Sequence, residues 1–251
     1  MEPQVRIVIQ ARMGSTRLPG KVLLPLAGRE LLWHVVHRMQ AVAQYLRWPV
    51  QVVVATTTRR EDRQIVQRCQ NWNVPCLRGP ARDVLQRYAL ASRGLWPWDV
   101  VVRATADNPL YCPRRAARLI QLHVQAQAQY TCVTNLSYVV PEAVRCHTLR
   151  QLAHWEWDPY TREHVTPHLR RYPWRYRVQQ LPPAWEGLRP EYRLTVDTPE
   201  QYEQMARLFD ALGKDDPLFP LEAVYDYLER LSWPSAAPVP EDAPTVLMPF
   251  G

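Results

Sequence analysis

Val5-Arg6-Ile7-Val8-Ile9-Gln10-Ala11-Arg12-Met13-Gly14-Ser15-Thr16-Arg17-Leu18-Pro19-Gly20-Lys21 decides the fold. Its first residues, 5–9, are a β-branched run of strand length, and residues 10–21 form a polar stretch interrupted by glycines. Leu31, Leu32, Val35, Val36 and Met39 then recur at helical spacing. Strand, loop and helix in that order open a βαβ unit. The alternation continues with a strand over 50–55, a helix over 59–71, a short strand over 74–77, a helix over 83–93 and a strand over 100–103. Near-continuous apolar strands such as 51–55 belong to a sheet covered on both faces. The expected fold is α/β, a Rossmann-like, doubly wound and mostly parallel sheet whose ligands lie beyond the carboxyl ends of the strands.

Beyond Pro113 the pattern predicts a helix to about residue 128 and a strand over 130–134. Regularity weakens over 136–171, which is rich in Trp, Tyr, His and Pro, and 136–190 reads as a small insertion in one domain of residues 1–232. A strand over 175–181 precedes an apolar alternation over 192–196 that ends at Asp197. Thr198-Pro199-Glu200 then supplies a helix cap with proline at the first helical position, for a helix reaching about residue 212. A last helix covers 218–231, and the proline-rich stretch 233–251 reads as a flexible tail.

The chain has 251 residues, 47% of them hydrophobic, which suits one sizeable core. No apolar run approaches the roughly 18 residues of a membrane span. The first ten residues lack the apolar core of a signal peptide, so a cytoplasmic protein without a membrane partner is expected. Five cysteines without a C-x-x-C pair read as buried thiols. The formal charge is +7, yet of 31 basic residues only Lys21 and Lys214 are lysines, and the arginines are scattered. No nucleic-acid recognition motif accompanies them, so small anionic ligands are the expected partners.

The first loop gathers Gly14, Gly20, Ser15, Thr16, Arg12, Arg17 and Lys21 at the ligand end of the first strand. Glycines let backbone N–H groups approach phosphate oxygens, hydroxyls add donors, and the cations neutralise charge. The spacing fits neither a Gly-Lys-Ser/Thr phosphate loop nor G-x-G-x-x-G. Asp107 and Asp197 each follow a predicted strand. A pair of aspartates is a sensible minimal Mg²⁺ site when phosphates complete it. Taken singly, Asp197 equally suits a helix cap and Asp107-Asn108-Pro109 a turn. Likewise Asp83 suits the N-cap of its helix, with Arg87 one turn on. His164 and His168 have metal-ligand spacing, but Pro167 lies between them and no third ligand is evident.

The segment 10–21, with Asp107 and Asp197 in this order, resembles the signature of the cytidylyltransferases related to the sialic acid and KDO activating enzymes. The spore-coat polysaccharide type is the most similar. The resemblance implies transfer of CMP from CTP to a sugar or sugar acid, with release of pyrophosphate, in surface polysaccharide or glycoconjugate biosynthesis. It implies that Arg12, Arg17 and Lys21 act on the triphosphate, that Asp107 and Asp197 hold Mg²⁺, and that these five are catalytic. Gln10, Ala11, Gly14, Ser15, Thr16, Thr56, Thr57, Gly79, Asp83 and Arg87 are the implied remainder of the nucleotide site. Ala106 stands where the family usually has glycine. Tyr160-Thr161-Arg162-Glu163-His164-Val165-Thr166-Pro167 matches the spore-coat subgroup, and the implied acceptor residues are Asn135, Arg145, His147, Arg162, Glu163 and His164. Over 141–147 this chain departs from the family, with Ala143, Arg145 and His147 at glycine and acidic positions, an exchange that favours a more anionic acceptor. Relatives commonly dimerise through the inserted region, and Trp155, Trp157, Tyr160, Tyr172 and Trp174 offer an apolar patch for a homodimer. Two other readings stay open: the same chemistry with another nucleoside triphosphate, and a nucleotide-binding scaffold with impaired turnover.

Overall fold

The structure is a computed structural model that describes residues 2–231; the tail expected over 233–251 lies outside the described residues. The first strand, β1 (Val5–Gln10), leads through the glycine-containing loop to a 3-10 turn (Lys21–Leu23). A two-residue ribbon follows, β2 (Pro25–Leu26) and β3 (Arg29–Glu30), and then α1 (Leu31–Gln40). Next come β4 (Val50–Thr57), α2 (Arg63–Asn71), β5 (Cys76–Gly79), α3 (Val84–Ala91) and β6 (Val100–Thr105). The second half supplies α4 (Pro113–Gln125), β7 (Tyr130–Val133), β8 (Glu142–Arg145), α5 (Cys146–Trp155), α6 (Pro159–His164), α7 (Pro167–Arg171) and β9 (Val178–Leu181). Helices α8 (Pro199–Leu212) and α9 (Leu221–Arg230) complete the described chain.

Seven strands form one sheet in the order β5-β4-β1-β6-β8-β7-β9. Strands β5, β4, β1 and β6 run parallel, β8 is antiparallel to both its neighbours, and β7 pairs parallel with β9. The mostly parallel α/β sheet is the one the alternation predicts. Successive side chains of β1 enter opposite cores because strand side chains alternate. Ile7 and Ile9 pack with apolar side chains of α1, α4, α8 and α9, and Val8 packs with those of α3 and α5. Each such fully buried side chain contributes about 2 kcal/mol.

The cap at 198 forms as its residues dictate. Thr198 Oγ1 accepts from the Gln201 N–H, and Gln201 Oε1 accepts from the N–H groups of Asp197 and Thr198 at 2.8 and 3.2 Å. Two expectations need correction. Residues 192–196 are extended but form no strand, because the Val196 N–H donates to Asp107 O, in the turn after β6, instead of to a strand neighbour. Within 136–190, β9 falls in the strand expected over 175–181, while β8 joins the sheet where no strand was expected. At four residues β8 gives too short an alternation to stand out among the Trp, Tyr, His and Pro around it, whereas the equally short β5, β7 and β9 overlap stretches expected as strands.

Strand β1 connects to β4 on one side and pairs with β6 on the other, so the strand order reverses at the β1–β6 boundary. In open α/β sheets the crevice beyond the carboxyl ends at such a reversal is where ligands bind.

Candidate active site

The first loop is shaped from its backbone. Met13 O accepts from the N–H groups of Ser15 and Gly20, both at 2.9 Å, which folds the loop back on itself. Gly20 closes it at φ +71°, a left-handed conformation that favours glycine, and the 3-10 turn then starts at Lys21. Asp62, 1% exposed, anchors the loop from outside by accepting from the Met13 N–H at 2.7 Å and from the Thr57 hydroxyl. Its role was not legible in sequence, because the residues it joins are far apart in the chain.

The loop delivers Lys21 to the centre of the site. Its buried ammonium donates to Asp107 Oδ2 at 3.1 Å, Asp197 Oδ1 at 3.0 Å and Val196 O at 2.7 Å. Asp107 is held by the Thr105 hydroxyl, which donates to Oδ1 at 2.6 Å, while Asn108 Nδ2 donates to Thr105 Oγ1. Arg17 reaches Asp197 Oδ1 at 3.0 Å and Arg193 reaches Oδ2 at 3.4 Å. Burial would raise the Asp197 carboxyl, but the hydrogen bond and charge of Lys21, with Arg17 and Arg193, outweigh it and hold the group below its ordinary value.

Around this centre opens a crevice of about 730 Å³. Of the residues expected at the site, Gln10, Ala11, Arg12, Ser15, Thr16, Arg17, Lys21, Arg87, Asp107, Asn135, Glu163, His164 and Asp197 line it. Arg103, Arg170, Arg193, Thr105, Asn108 and Tyr138 line it as well and were missed. With Arg12, Arg17, Lys21 and Arg87, the three added arginines leave positive charge in excess over Asp107, Glu163 and Asp197. His164 is pushed below its usual value by burial and by Arg103, Arg170 and Arg12 against the opposing Glu163, so it is neutral near pH 7.

The other expected residues stand elsewhere. Gly14, Thr56, Thr57, Gly79, Asp83 and Arg162 do not line the crevice. Thr57 is engaged by Asp62, and Thr56 is fully buried. Gly79 acts through packing, since a Cβ there would come within 2.8 Å of Arg87 Cγ. Asp83 is the N-cap of α3, accepting from the Gln86 N–H at 2.9 Å, and is clamped by Arg162 at 2.5 Å instead of pairing with Arg87. Arg87 is buried and donates to the carbonyls of Pro80 and Ala81 at 2.5 and 3.2 Å. Arg145 and His147 lie at the opposite end of the sheet. Because β8 is antiparallel, Arg145 pairs with Val100, the first residue of β6, and the His147 N–H bonds Pro97 O. The exchange of acidic for basic residues inferred over 141–147 therefore falls outside the crevice. Glu142, which pairs opposite Arg103 in that segment, is an acid.

A short helix pair builds the far wall. Between α6 and α7, Val165 has φ +73° and ψ −55°, and the Thr166 N–H donates to His164 O at 3.0 Å, which makes a γ-turn that a β-branched residue adopts only under strain. This turn sets His164 in the crevice and Thr166 against Glu142, whose Oε2 accepts from the Thr166 hydroxyl at 2.7 Å.

A cationic crevice at the reversal of a parallel sheet, centred on two carboxylates and a lysine, defines the nucleotide-handling class of α/β proteins. The comparisons with known proteins narrow this. The chain belongs to the cytidylyltransferase family, whose pattern matches residues 6–230. It is 36% identical over 213 residues to the spore coat polysaccharide biosynthesis protein SpsF of Bacillus subtilis (strain 168), covering 84% of this chain and 88% of that one. A solved cytidylyltransferase from Leptospira borgpetersenii serovar Hardjo-bovis superimposes with a TM-score of 0.81 at 27% identity, over 92% of this chain and 95% of that one. The fold is also that of CMP:2-keto-3-deoxy-manno-octonic acid synthetase, solved with CTP, with a TM-score of 0.63 at 20% identity over 83% of this chain and 99% of that one. Among the described residues no helix is long and apolar enough to cross a membrane.

Proposed function

We propose that this chain transfers CMP from CTP to a sugar or sugar-acid acceptor and releases pyrophosphate, in surface polysaccharide or glycoconjugate biosynthesis. The observation that carries the reading is the convergence of Asp107, Asp197 and Lys21 within about 3 Å at the mouth of the phosphate-type loop. Membership of the cytidylyltransferase family supports CTP as the nucleotide.

The acceptor oxygen attacks the α-phosphorus in line, the bond from that phosphorus to the bridging oxygen breaks so that pyrophosphate leaves, and the proton of an acceptor hydroxyl passes to solvent. Negative charge then accumulates on the departing pyrophosphate, and Arg12, Arg17 and Lys21, which line the crevice, would neutralise it. Fixed cations of this kind need no reorganisation as charge develops, which makes electrostatics the main contribution of the protein. Among the described residues no group of three or more His, Cys, Asp or Glu forms a metal cage. Asp107 Oδ2 and Asp197 Oδ1 already converge on a single cation, the Lys21 ammonium. Two hard oxygens so placed fit Mg²⁺ with phosphate and water oxygens as its other ligands. Asp107 and Asp197 would hold the ion, which when bound supplies Lewis-acid neutralisation of the phosphates. The Thr105 bond to Asp107 Oδ1 leaves Oδ2 turned to this shared point.

The reading includes a homodimer closed over the exposed rings of Trp155, Trp157, Tyr160 and Trp174, with the partly buried Tyr172 against Trp174.

The test is pyrophosphate release from CTP, UTP, GTP and ATP with Mg²⁺ and a panel of neutral, carboxylated and phosphorylated sugars. Turnover of CTP with an acceptor, lost by about a thousandfold in Asp107→Ala, is the expected result. Turnover of another triphosphate in preference to CTP would overturn the assignment.

A further inference from the structure

Asp107 is aimed by a chain of hydrogen bonds that begins in the core. Tyr111, in the connection between β6 and α4, is fully buried and belongs to the same core as Ile9 and Ala104. Its hydroxyl oxygen accepts from the Thr105 N–H at 3.0 Å and from Asn108 Nδ2 at 3.2 Å. An amide nitrogen carries two N–H groups, and the other one of Asn108 donates to Thr105 Oγ1 at 2.6 Å. Because Thr105 Oγ1 accepts there, its single proton goes to Asp107 Oδ1, at 2.6 Å. One phenol oxygen thus holds the backbone of Thr105 and, through the amide, its hydroxyl. Burial raises the Tyr111 phenol above its usual value, so the oxygen stays an uncharged acceptor.

The direction of this chain divides the two oxygens of Asp107. Oδ1 is engaged by the Thr105 hydroxyl, and Oδ2 accepts from the Lys21 ammonium at 3.1 Å. Asp107 therefore offers a single oxygen to a cation at the point it shares with Asp197. Asp197 is divided in the same way, with Oδ1 toward Lys21 at 3.0 Å and Oδ2 toward Arg193 at 3.4 Å.

Divalent cations use carboxylates differently. Mg²⁺ is small and demands near-octahedral geometry, which the narrow bite of a two-oxygen carboxylate distorts, whereas Ca²⁺ takes about six to eight oxygens and readily uses both from one carboxylate. Selection between the two ions depends on the number and the rigidity of the ligands. We infer that Tyr111 is a positioning residue that, through Asn108 and Thr105, confines Asp107 to one oxygen ligand and so makes the centre select Mg²⁺ over Ca²⁺. This rests on the transferase reading and extends its metal site to a residue of the core.

The test is calorimetry of the full-length protein with the α,β-methylene analogue of CTP, once in saturating Mg²⁺ and once in saturating Ca²⁺. Wild type is expected to bind the analogue about tenfold or more tightly in Mg²⁺. Tyr111→Phe keeps the ring in the core and removes the acceptor, and Thr105→Val keeps the branched strand residue and removes the donor. Each should bring the two affinities to within about threefold of one another, whereas Thr105→Ser, which keeps the hydroxyl, should retain the wild-type ratio. A merely structural Tyr111 would lower the unfolding midpoint of Tyr111→Phe and leave the ratio alone, so an unchanged ratio overturns the inference whatever the midpoint. If Tyr111→Phe does not fold, an unchanged ratio in Thr105→Val overturns it equally. Equal affinities of wild type in the two ions also overturn it. Failure of wild type to bind the analogue with either ion is a separate result, which removes the transferase reading and this inference with it.

Discussion

Lys21 is one of two lysines in a chain that otherwise uses arginine, and its surroundings explain the choice. Three acceptors at 2.7 to 3.1 Å around one nitrogen suit a compact ammonium and leave no room for a planar fork. Lys21→Arg is therefore expected to abolish turnover despite conserving charge, and pyrophosphate release reads this directly. Because Asp197 titrates below its ordinary 3.8 in the folded chain, it contributes stability that is fully present above that value and is lost as pH falls through the folded value. In Lys21→Met the burial that raises Asp197 is opposed only by Arg17 and Arg193. Its titration moves up toward the unfolded value, so the stability it contributes above that value shrinks and less is lost on acidification, which a carboxyl NMR titration and acid unfolding both detect. Gly79→Ala forces the Arg87 stem off its carbonyl partners and is expected to cost about 1–3 kcal/mol in urea unfolding. An unchanged midpoint would mean that Arg87 is free to move. At this scale the place of the first loop on the crevice was legible, because the loop follows the first strand directly and ligands of such sheets lie beyond the carboxyl ends of the strands. Arg103, Arg170 and Asp62 were not, since each acquires its role from a residue distant in sequence.

Elements decide where those residues point. The box formed by Thr198 and Gln201 ties Asp197 to the first turn of α8, because the Asp197 N–H donates to the same amide oxygen as the cap. Gln201→Ala should cost about 1 kcal/mol in denaturant unfolding and also weaken nucleotide binding. Loss of stability with unaltered binding would show that the cap and the aspartate are independent. The cap, the Pro199 start and the helix after them were readable because capping is local chemistry. The direction of β8 was not readable, and one reversed strand moved Arg145 and His147 to the wrong end of the sheet. Strand direction depends on what the sheet offers as neighbours, which no four-residue pattern records. Residues 192–196 failed for a related reason, in that apolar alternation reports half-buried extended chain without reporting a pairing partner.

For the molecule as a whole, charge is concentrated where a polyanion would enter. Arg12, Arg17, Lys21, Arg87, Arg103, Arg170 and Arg193 face a single crevice. Affinity for a nucleoside triphosphate should accordingly fall several-fold as salt rises from about 0.05 to 0.5 M, as expected when the Debye length drops to a few ångströms. A salt-independent affinity would mean that contacts to the base and ribose dominate. The exposed rings of Trp157 and Trp174 make oligomeric state a second reading at this scale: Trp157→Ser with Trp174→Ser should turn a dimer into a monomer in sedimentation velocity. The central claim is that Asp107, Asp197 and Lys21 make one CTP-binding, cation-assisted centre. Calorimetric titration of CTP with and without Mg²⁺, on wild type and on Asp107→Ala with Asp197→Ala, tests it most directly. The account predicts Mg²⁺-dependent binding that favours CTP over UTP, GTP and ATP and disappears in the double variant. Equal CTP affinity in wild type and the double variant would contradict it.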